Sequence, residues 1–481
     1  MELSDKKQSA DDEFWEDSEM YRDAISTVDA NGKRIWLYPK KPTGDYTNKR
    51  IWFSGLLLII LFAVPFVSIH GRPLLRFNIF EREFIIFGNY FFPQDFIILA
   101  VAALVFFLFI ALFTVVFGRL WCGWACPQTL FMEMVFRRIE YWIEGDANAQ
   151  RKLDEAEWTT EKIWKKTAKH VIFALFSLII GHLVMAYLIG WPKSIDLISQ
   201  PPTAHLSGFI ALMAFSTIFY VVFAKAREQV CVAICPYGRL QSVLLVKESI
   251  VVIYDFLRGE PRGKRQKNAP TVAPALGDCI DCKLCVQVCP TGIDIRNGTQ
   301  LECVNCTACI DACDAVMDKI KQPRGLIRFD SQQGVTDNIK LTFTARIAAY
   351  TAVLVVLVGL EGFLLMGRSP IESTVLRVPG MLYQTTEKGM LTNLYNVQIV
   401  NKTPEDLVVE PKLKGFEGKI SVVGQQKLEV KQGKTLDVVM FIELNPKDLH
   451  AVKTKLDIDF YANGKLLESS STNFMAPAPQ K

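Results

Sequence analysis

Cys279, Cys282 and Cys285 are separated by two residues each, and Cys289 follows after three more with Pro290 behind it. Cys303, Cys306, Cys309 and Cys313 repeat that spacing, so one short run holds eight of the chain's twelve cysteines. Tight turns at this spacing wrap three thiolates around one iron-sulfur cubane. The fourth cysteine of each run then completes the cluster of the other run. On this pattern Cys279, Cys282, Cys285 and Cys313 hold one 4Fe-4S cluster, and Cys303, Cys306, Cys309 and Cys289 hold a second. Zinc and disulfides are the competing readings. Structural zinc usually takes paired C-x2-C units a dozen or more residues apart. Disulfides are disfavoured in the reducing compartment where the charge pattern puts this run. The second run ends in Cys313-Asp314 where the first has Cys289-Pro290. A poorly solvated carboxylate at that point makes its cluster harder to reduce, and one pointing to water does little.

The other four cysteines come as two C-x3-C-P pairs, Cys122 and Cys126 before Pro127, and Cys231 and Cys235 before Pro236. Each pair follows an even-numbered apolar run and is trailed by an amphipathic stretch, which reads as a duplicated hairpin with a cysteine cap. Helical spacing puts both thiols of a pair on one face, with the proline opening the next helix. Arg119 and Arg227 are near enough in sequence to lower the thiol pKa values. Four converging thiolates make a soft site that suits Cu(I) or a further iron-sulfur centre. Inert buried thiols remain the plain alternative.

Positioning these groups takes a membrane. Half of the residues are apolar, and five segments have the roughly 20 apolar residues that span a bilayer: 51–69, 96–117, 171–190, 206–224 and 347–366. A stretch from Phe84, "FIIFGNYFF", is too short to cross and reads as interfacial or re-entrant. The twenty residues before the first span hold six Lys and Arg and the 118–169 loop holds nine, against three in 70–95 and one in 191–205. By the positive-inside rule the N-terminus and cysteine-rich run face the cytoplasm, and the segment after the fifth span lies outside. The net charge of +4 gives no case for nucleic acid. The acidic beginning of the chain is neither a signal peptide nor a lipidation site and reads as a loose cytoplasmic tail. From about 370 onward, short alternating segments and turn signals such as Asn463-Gly464 predict a β-sandwich of immunoglobulin size.

The domain plan is therefore a tail over 1–50, a four-helix membrane region over 51–250, a ferredoxin-like domain over 251–340, a fifth membrane helix over 341–369 and the sandwich over 370–481. His70, His170, His182, His205 and His450 are the only histidines. His182 lies mid-span and is a candidate haem or copper ligand, or a helix-to-helix hydrogen-bonding group. Glu361 carries the same ambiguity. No glycine-rich fingerprint follows a strand, so no built-in flavin or nicotinamide site is indicated.

The segments "FGRLWCGWACPQT", "FGNYFFPQDF", "CVAICPYGRLQSV" and "QPRGLIRFD", with the eight-cysteine run, closely resemble the cytochrome c oxidase accessory proteins of the CcoG/FixG/RdxA type. The resemblance runs from about Lys33 to the fifth span and is weaker over the sandwich. It implies a multi-pass polyferredoxin of the bacterial inner membrane that reduces Cu(II) to Cu(I) for a cbb-type oxidase. Oxidase subunits or copper chaperones would be partners, with an unidentified cytoplasmic electron donor and homo-oligomers open. The eight cysteines carry over as cluster ligands, whereas the C-x3-C-P cysteines carry over only as metal or redox candidates. Rival readings are an electron-transfer subunit feeding a quinone or a partner reductase, and a non-catalytic assembly scaffold.

Overall fold

The computed structural model describes residues 27–28, 33–69, 71–264, 276–300, 302–339, 344–380, 382–387, 389–424, 427–449 and 451–477. Most of the acidic tail, together with His70 and His450, lies outside them. Five helices are long and apolar enough to cross a membrane: α1 (Asp45–Ala63), α2 (Phe96–Phe117), α3 (Thr160–Ile189), α4 (Leu206–Val221) and α5 (Ala345–Met366). At 1.5 Å per residue, a helix of about 20 residues matches the roughly 30 Å hydrocarbon thickness.

Two of these helices begin earlier than hydropathy alone marks. The first turn of α1 is capped by a distant carboxylate: Asp311 accepts hydrogen bonds from the amides of Tyr46 (3.0 Å) and Thr47 (2.7 Å) and from the Thr47 hydroxyl (2.6 Å). Helix α3 starts with a charged extension, in which Lys166 and Lys169 each reach Glu144 at 2.9 Å. Neither extension is apolar, so a search for apolar runs passes over both.

The chain forms two compact units that cut across the sequence-drawn domain plan. The first joins residues 1–63, 102–186 and 192–358, bringing the cysteine-rich run into one body with the paired C-x3-C-P segments. The second joins 64–101, 187–191 and 359–481.

The second unit holds a three-stranded antiparallel sheet, β1 (Leu75–Asn78), β2 (Glu83–Ile86) and β3 (Asn89–Phe91). The stretch from Phe84 forms a β-hairpin that packs on the sandwich side of this unit, so it does not re-enter the bilayer. Phe87 and Gly88 both take positive φ at its turn, and alternation buries Ile85 and Tyr90. In the first unit, β4 (Val251–Tyr254) and β5 (Ile327–Asp330) pair antiparallel on either side of the cysteine-rich run.

The strands from residue 371 onward form the expected sandwich in the second unit. They are β6 (Ile371–Arg377), β7 (Gln384–Thr385), β8 (Leu391–Asn401), β9 (Leu407–Lys414), β10 (Gly418–Val422), β11 (Leu428–Val430), β12 (Thr435–Leu444), β13 (Lys453–Ala462) and β14 (Lys465–Met475). One sheet runs β10-β12-β8-β6 with β7 on β8, and the other runs β11-β9-β13-β14. Alternate residues such as Tyr395, Ile399, Met440, Ile442 and Phe460 are fully buried between them. Asn463 and Gly464 make the two-residue turn from β13 to β14, both with positive φ. The small sheet joins this unit through Ile85, Tyr90 and Phe92 against Val400. Asp95 locks the junction, accepting from Arg368 and Lys402 at 2.7 Å each.

Candidate metal centres

In each cysteine run the residues flanking the middle cysteine take the left-handed conformation: Asp281 and Lys283 around Cys282, and Asn305 and Thr307 around Cys306. Non-glycine residues seldom adopt it, and its recurrence at matching places is a built turn. Each turn brings three cysteines to the edge of one cavity and then opens a helix. In the helix Ala308–Lys319, Cys309 and Cys313 stand four apart on one face, one turn separating them. The structure thereby gathers Cys279, Cys282, Cys285 and Cys313 around one cavity. A second cavity is lined by Cys289, Cys303, Cys306 and Cys309, and Cys285 lines it as well as the first. Each fourth thiol is delivered from the opposite run.

Burial pushes the thiols of Cys285, Cys303 and Cys313 up to about 12 and that of Cys306 to about 11. Ionising them takes a cationic partner, and bound metal supplies one. Among the described residues no three His, Cys, Asp or Glu side chains are close enough to hold one metal ion. Four soft donors set around a wider space fit a multi-iron cluster better than a single ion. Asp314 is half-buried, and one oxygen accepts the Gly325 amide at 2.9 Å. Its charge raises the Cys313 thiol further, after burial. The carboxylate is thus neither bare nor simply turned to water.

The two C-x3-C-P caps share a backbone plan. Four residues before the first cysteine of each pair the chain turns left-handed, at Gly118 (φ 55°) and Arg227 (φ 52°). The second cysteine donates its amide to the residue before the first: Cys126 to Trp121 at 2.9 Å, and Cys235 to Val230 at 2.8 Å. Cys126 and Cys235 are then extended residues preceding a helix that begins with proline. This repetition is the internal duplication seen in the sequence, now visible in φ angles and hydrogen bonds.

The thiols of the two caps lie near one another. Charge on Cys126, Cys122 or Cys235 would raise the Cys231 thiol, which burial already pushes up to about 12. The arginine effect expected from sequence is only partly present. Arg119 does favour the Cys122 thiolate, but burial outweighs it and the thiol stays above its ordinary value. Arg227 turns away and makes a two-pronged ion pair with Glu140 at 3.0 and 2.9 Å.

Gln241, fully buried, is a site residue that the sequence did not single out. Its amide donates to Cys122 Sγ at 3.2 Å, and its carbonyl oxygen accepts from Arg119 Nε. Arg119 in turn favours the Cys303 thiolate, although burial dominates there too. One guanidinium therefore acts on a cap thiol and on a thiol of the second cavity. Gly123 was also missed: a Cβ there would stand 2.2 Å from the carbonyl oxygen of Val304. The first cap can approach the Cys303–Cys306 loop this closely only with glycine. The cavity beside Cys231 is also lined by Pro290, Thr291 and Val304, which lie within two residues of Cys289 or Cys303.

The histidines make other contacts. His182 Nδ1 lies 2.8 Å from the carbonyl of Leu178 in its own helix, so that bond is local and does not join two helices. His170 Nδ1 meets Tyr220 at 2.9 Å, and His205 meets Gln200 at 3.0 Å. One carboxylate oxygen of Glu361 is buried with no hydrogen-bond partner among the described residues.

Three family models match. Residues 226–332 match a 4Fe-4S dicluster domain, 99–146 a 4Fe-4S binding domain, and 362–477 the "IG-like fold at C-terminal of FixG". Among curated proteins, the chain is 36% identical to protein RdxB of Cereibacter sphaeroides over 393 residues, covering 78% of this chain and 80% of that one. It is 34% identical to protein RdxA of the same organism, covering 78% and 81%. It is 30% identical to the nitrogen fixation protein FixG of Rhizobium meliloti over 424 residues, covering 80% of each.

Proposed function

The chain belongs to the FixG/RdxA family of membrane iron-sulfur proteins, and from that membership we propose that it reduces Cu(II) to Cu(I) for assembly of a cbb-type cytochrome c oxidase. In this reading the electrons pass through the iron-sulfur domains, with copper the acceptor and the oxidase its destination. Cys279, Cys282, Cys285 and Cys313 would hold one 4Fe-4S cluster, and Cys289, Cys303, Cys306 and Cys309 the other. Such clusters, when bound, supply one-electron transfer at potentials tuned by charge, hydrogen bonds and exposure. Cys122, Cys126, Cys231 and Cys235 would bind the copper substrate, since soft thiolates favour the reduced ion. Gln241 orients the Cys122 thiol, and Arg119 supplies fixed positive charge between that thiol and Cys303.

What carries this reading is adjacency: Pro290, Thr291 and Val304, beside Cys289 and Cys303, wall the cavity that Cys231 also lines. The excess of Lys and Arg before α1 and in the 118–169 loop supports cytoplasmic placement of all twelve cysteines and a periplasmic sandwich. Protein reduced anaerobically with dithionite and mixed with Cu(II) should lose its reduced spectrum and produce Cu(I). Reoxidation by a quinone but not by Cu(II) would move the function to quinone reduction, and reoxidation by neither would favour a scaffold.

A second reading has its own support. The 4Fe-4S binding model over 99–146 contains Cys122 and Cys126, and no three described side chains are placed for a single ion. A further iron-sulfur centre on the four cap thiols would raise the iron content from about eight to about twelve per chain.

A further inference from the structure

A cleft of about 610 Å³ lies in the first unit between the first turns of α1 and the helical segment that follows Pro127. Its lining includes Lys41, Arg50 and Arg138, with Tyr141 and Trp142 on one wall. Three cations face a single lining carboxylate, Glu133, which is already paired to Arg137 at 2.8 Å. The Asp311 carboxylate nearby is tied to the first turn of α1. Arg50 is 4% exposed, and its Nε donates to the Gly123 carbonyl at 2.8 Å. Its Nη2 is buried and has no hydrogen-bond partner among the described residues. A buried guanidinium nitrogen left unsatisfied is costly unless a ligand completes it. Arg138 makes no ion pair with a described residue, and its pKa is held down by burial and then by the charge of Arg50. Two guanidiniums near enough to repel are the usual counterpart of a multiply bonded oxyanion.

Depth narrows the ligand. The apolar length of α1 begins at Ile51, one residue after Arg50, so the cleft lies where a span meets water. Trp52 and Trp142 are 82% and 79% exposed, the residue type that marks the headgroup level of a bilayer. We propose that this cleft binds an anionic phosphate ester, with Arg50 and Arg138 clamping the phosphate oxygens and Lys41 completing the charge. Basic pockets between membrane helices hold anionic lipid headgroups by the same chemistry. The phosphate can come from such a lipid or from a soluble phosphate, and the two are separable by experiment.

Full-length protein carrying its iron is titrated in neutral detergent with phosphatidylglycerol, phosphatidylcholine or inorganic phosphate. Bound lipid is counted by native mass spectrometry, and phosphate by ³¹P line broadening. Wild type should hold phosphatidylglycerol or inorganic phosphate at least about tenfold more tightly than phosphatidylcholine, and Arg50→Gln and Arg138→Gln should each lose about tenfold. Tighter binding of phosphatidylglycerol assigns the bilayer as the source, and tighter binding of inorganic phosphate assigns a soluble ester. If Arg50→Gln loses iron, Arg138→Gln decides, because that side chain is not part of the contact with Gly123. Equal retention of phosphatidylglycerol and phosphatidylcholine with no phosphate bound overturns the proposal. So does wild-type affinity in Arg138→Gln with its iron intact.

Discussion

Cys289 stands four residues from Cys285, yet it lines the cavity of Cys303, Cys306 and Cys309. Replacing Cys289 with Ser should therefore degrade the cluster built on the later run and spare the one built on Cys279. Electron paramagnetic resonance of the reduced protein, with iron counted per chain, distinguishes the two. At another single residue, burial raises the Glu468 carboxyl from its ordinary 4.5 to about 7, and nearby Glu372 adds to the effect. Below about pH 4.5 that carboxyl is neutral whether the strand is folded or open, so its contribution to stability is intact. Between pH 4.5 and 7 the open form ionises first and stability falls, reaching its floor above pH 7. Hydrogen exchange over Lys465–Met475, corrected for intrinsic rates, should show more opening at pH 7.5 than at pH 5. Glu468→Gln should flatten that difference. The gathering of eight cysteines around two cavities was legible because tight local turns leave a fixed spacing in the chain. Gln241 was not, since its contact with Arg119 joins residues 122 positions apart.

The elements show the same division between local and distant causes. Asn463-Gly464 announced its turn because the required positive φ belongs to those two residues alone. The hairpin from Glu83 was not read as strands because Ile85 and Tyr90 find their cover on Val400, far along the chain. The first C-x3-C-P cap illustrates a third case: the cysteines were visible, but the role of Gly123 between them depends on the Val304 carbonyl. Gly123→Ala puts a methyl against backbone that has little room to retreat, at a cost of about 1–3 kcal/mol. It also disturbs the carbonyl that anchors Arg50. The expected outcome is a lower midpoint for loss of cluster absorbance on heating, with the cluster facing this cap lost first. An unchanged melting curve would show that the cap and cluster loop are not held as closely as the structure has them.

At the scale of the whole molecule, five apolar helices and the asymmetric distribution of Lys and Arg fix an expected orientation. A reporter active only in the periplasm should work when fused after Lys481 and fail when fused after Arg258, and the reverse pattern would put the clusters on the wrong side for a cytoplasmic donor. The central claim is narrower: the cap thiols accept copper at the point where they border the second cluster cavity. The most direct test is the rate at which Cu(II) reoxidises dithionite-reduced protein when Cys122, Cys126, Cys231 and Cys235 are all replaced by Ser. The account predicts that this variant keeps about eight irons per chain and the spectra of both clusters, while Cu(II)-driven reoxidation is lost. Reoxidation at the wild-type rate with the clusters intact would contradict it and place the copper elsewhere.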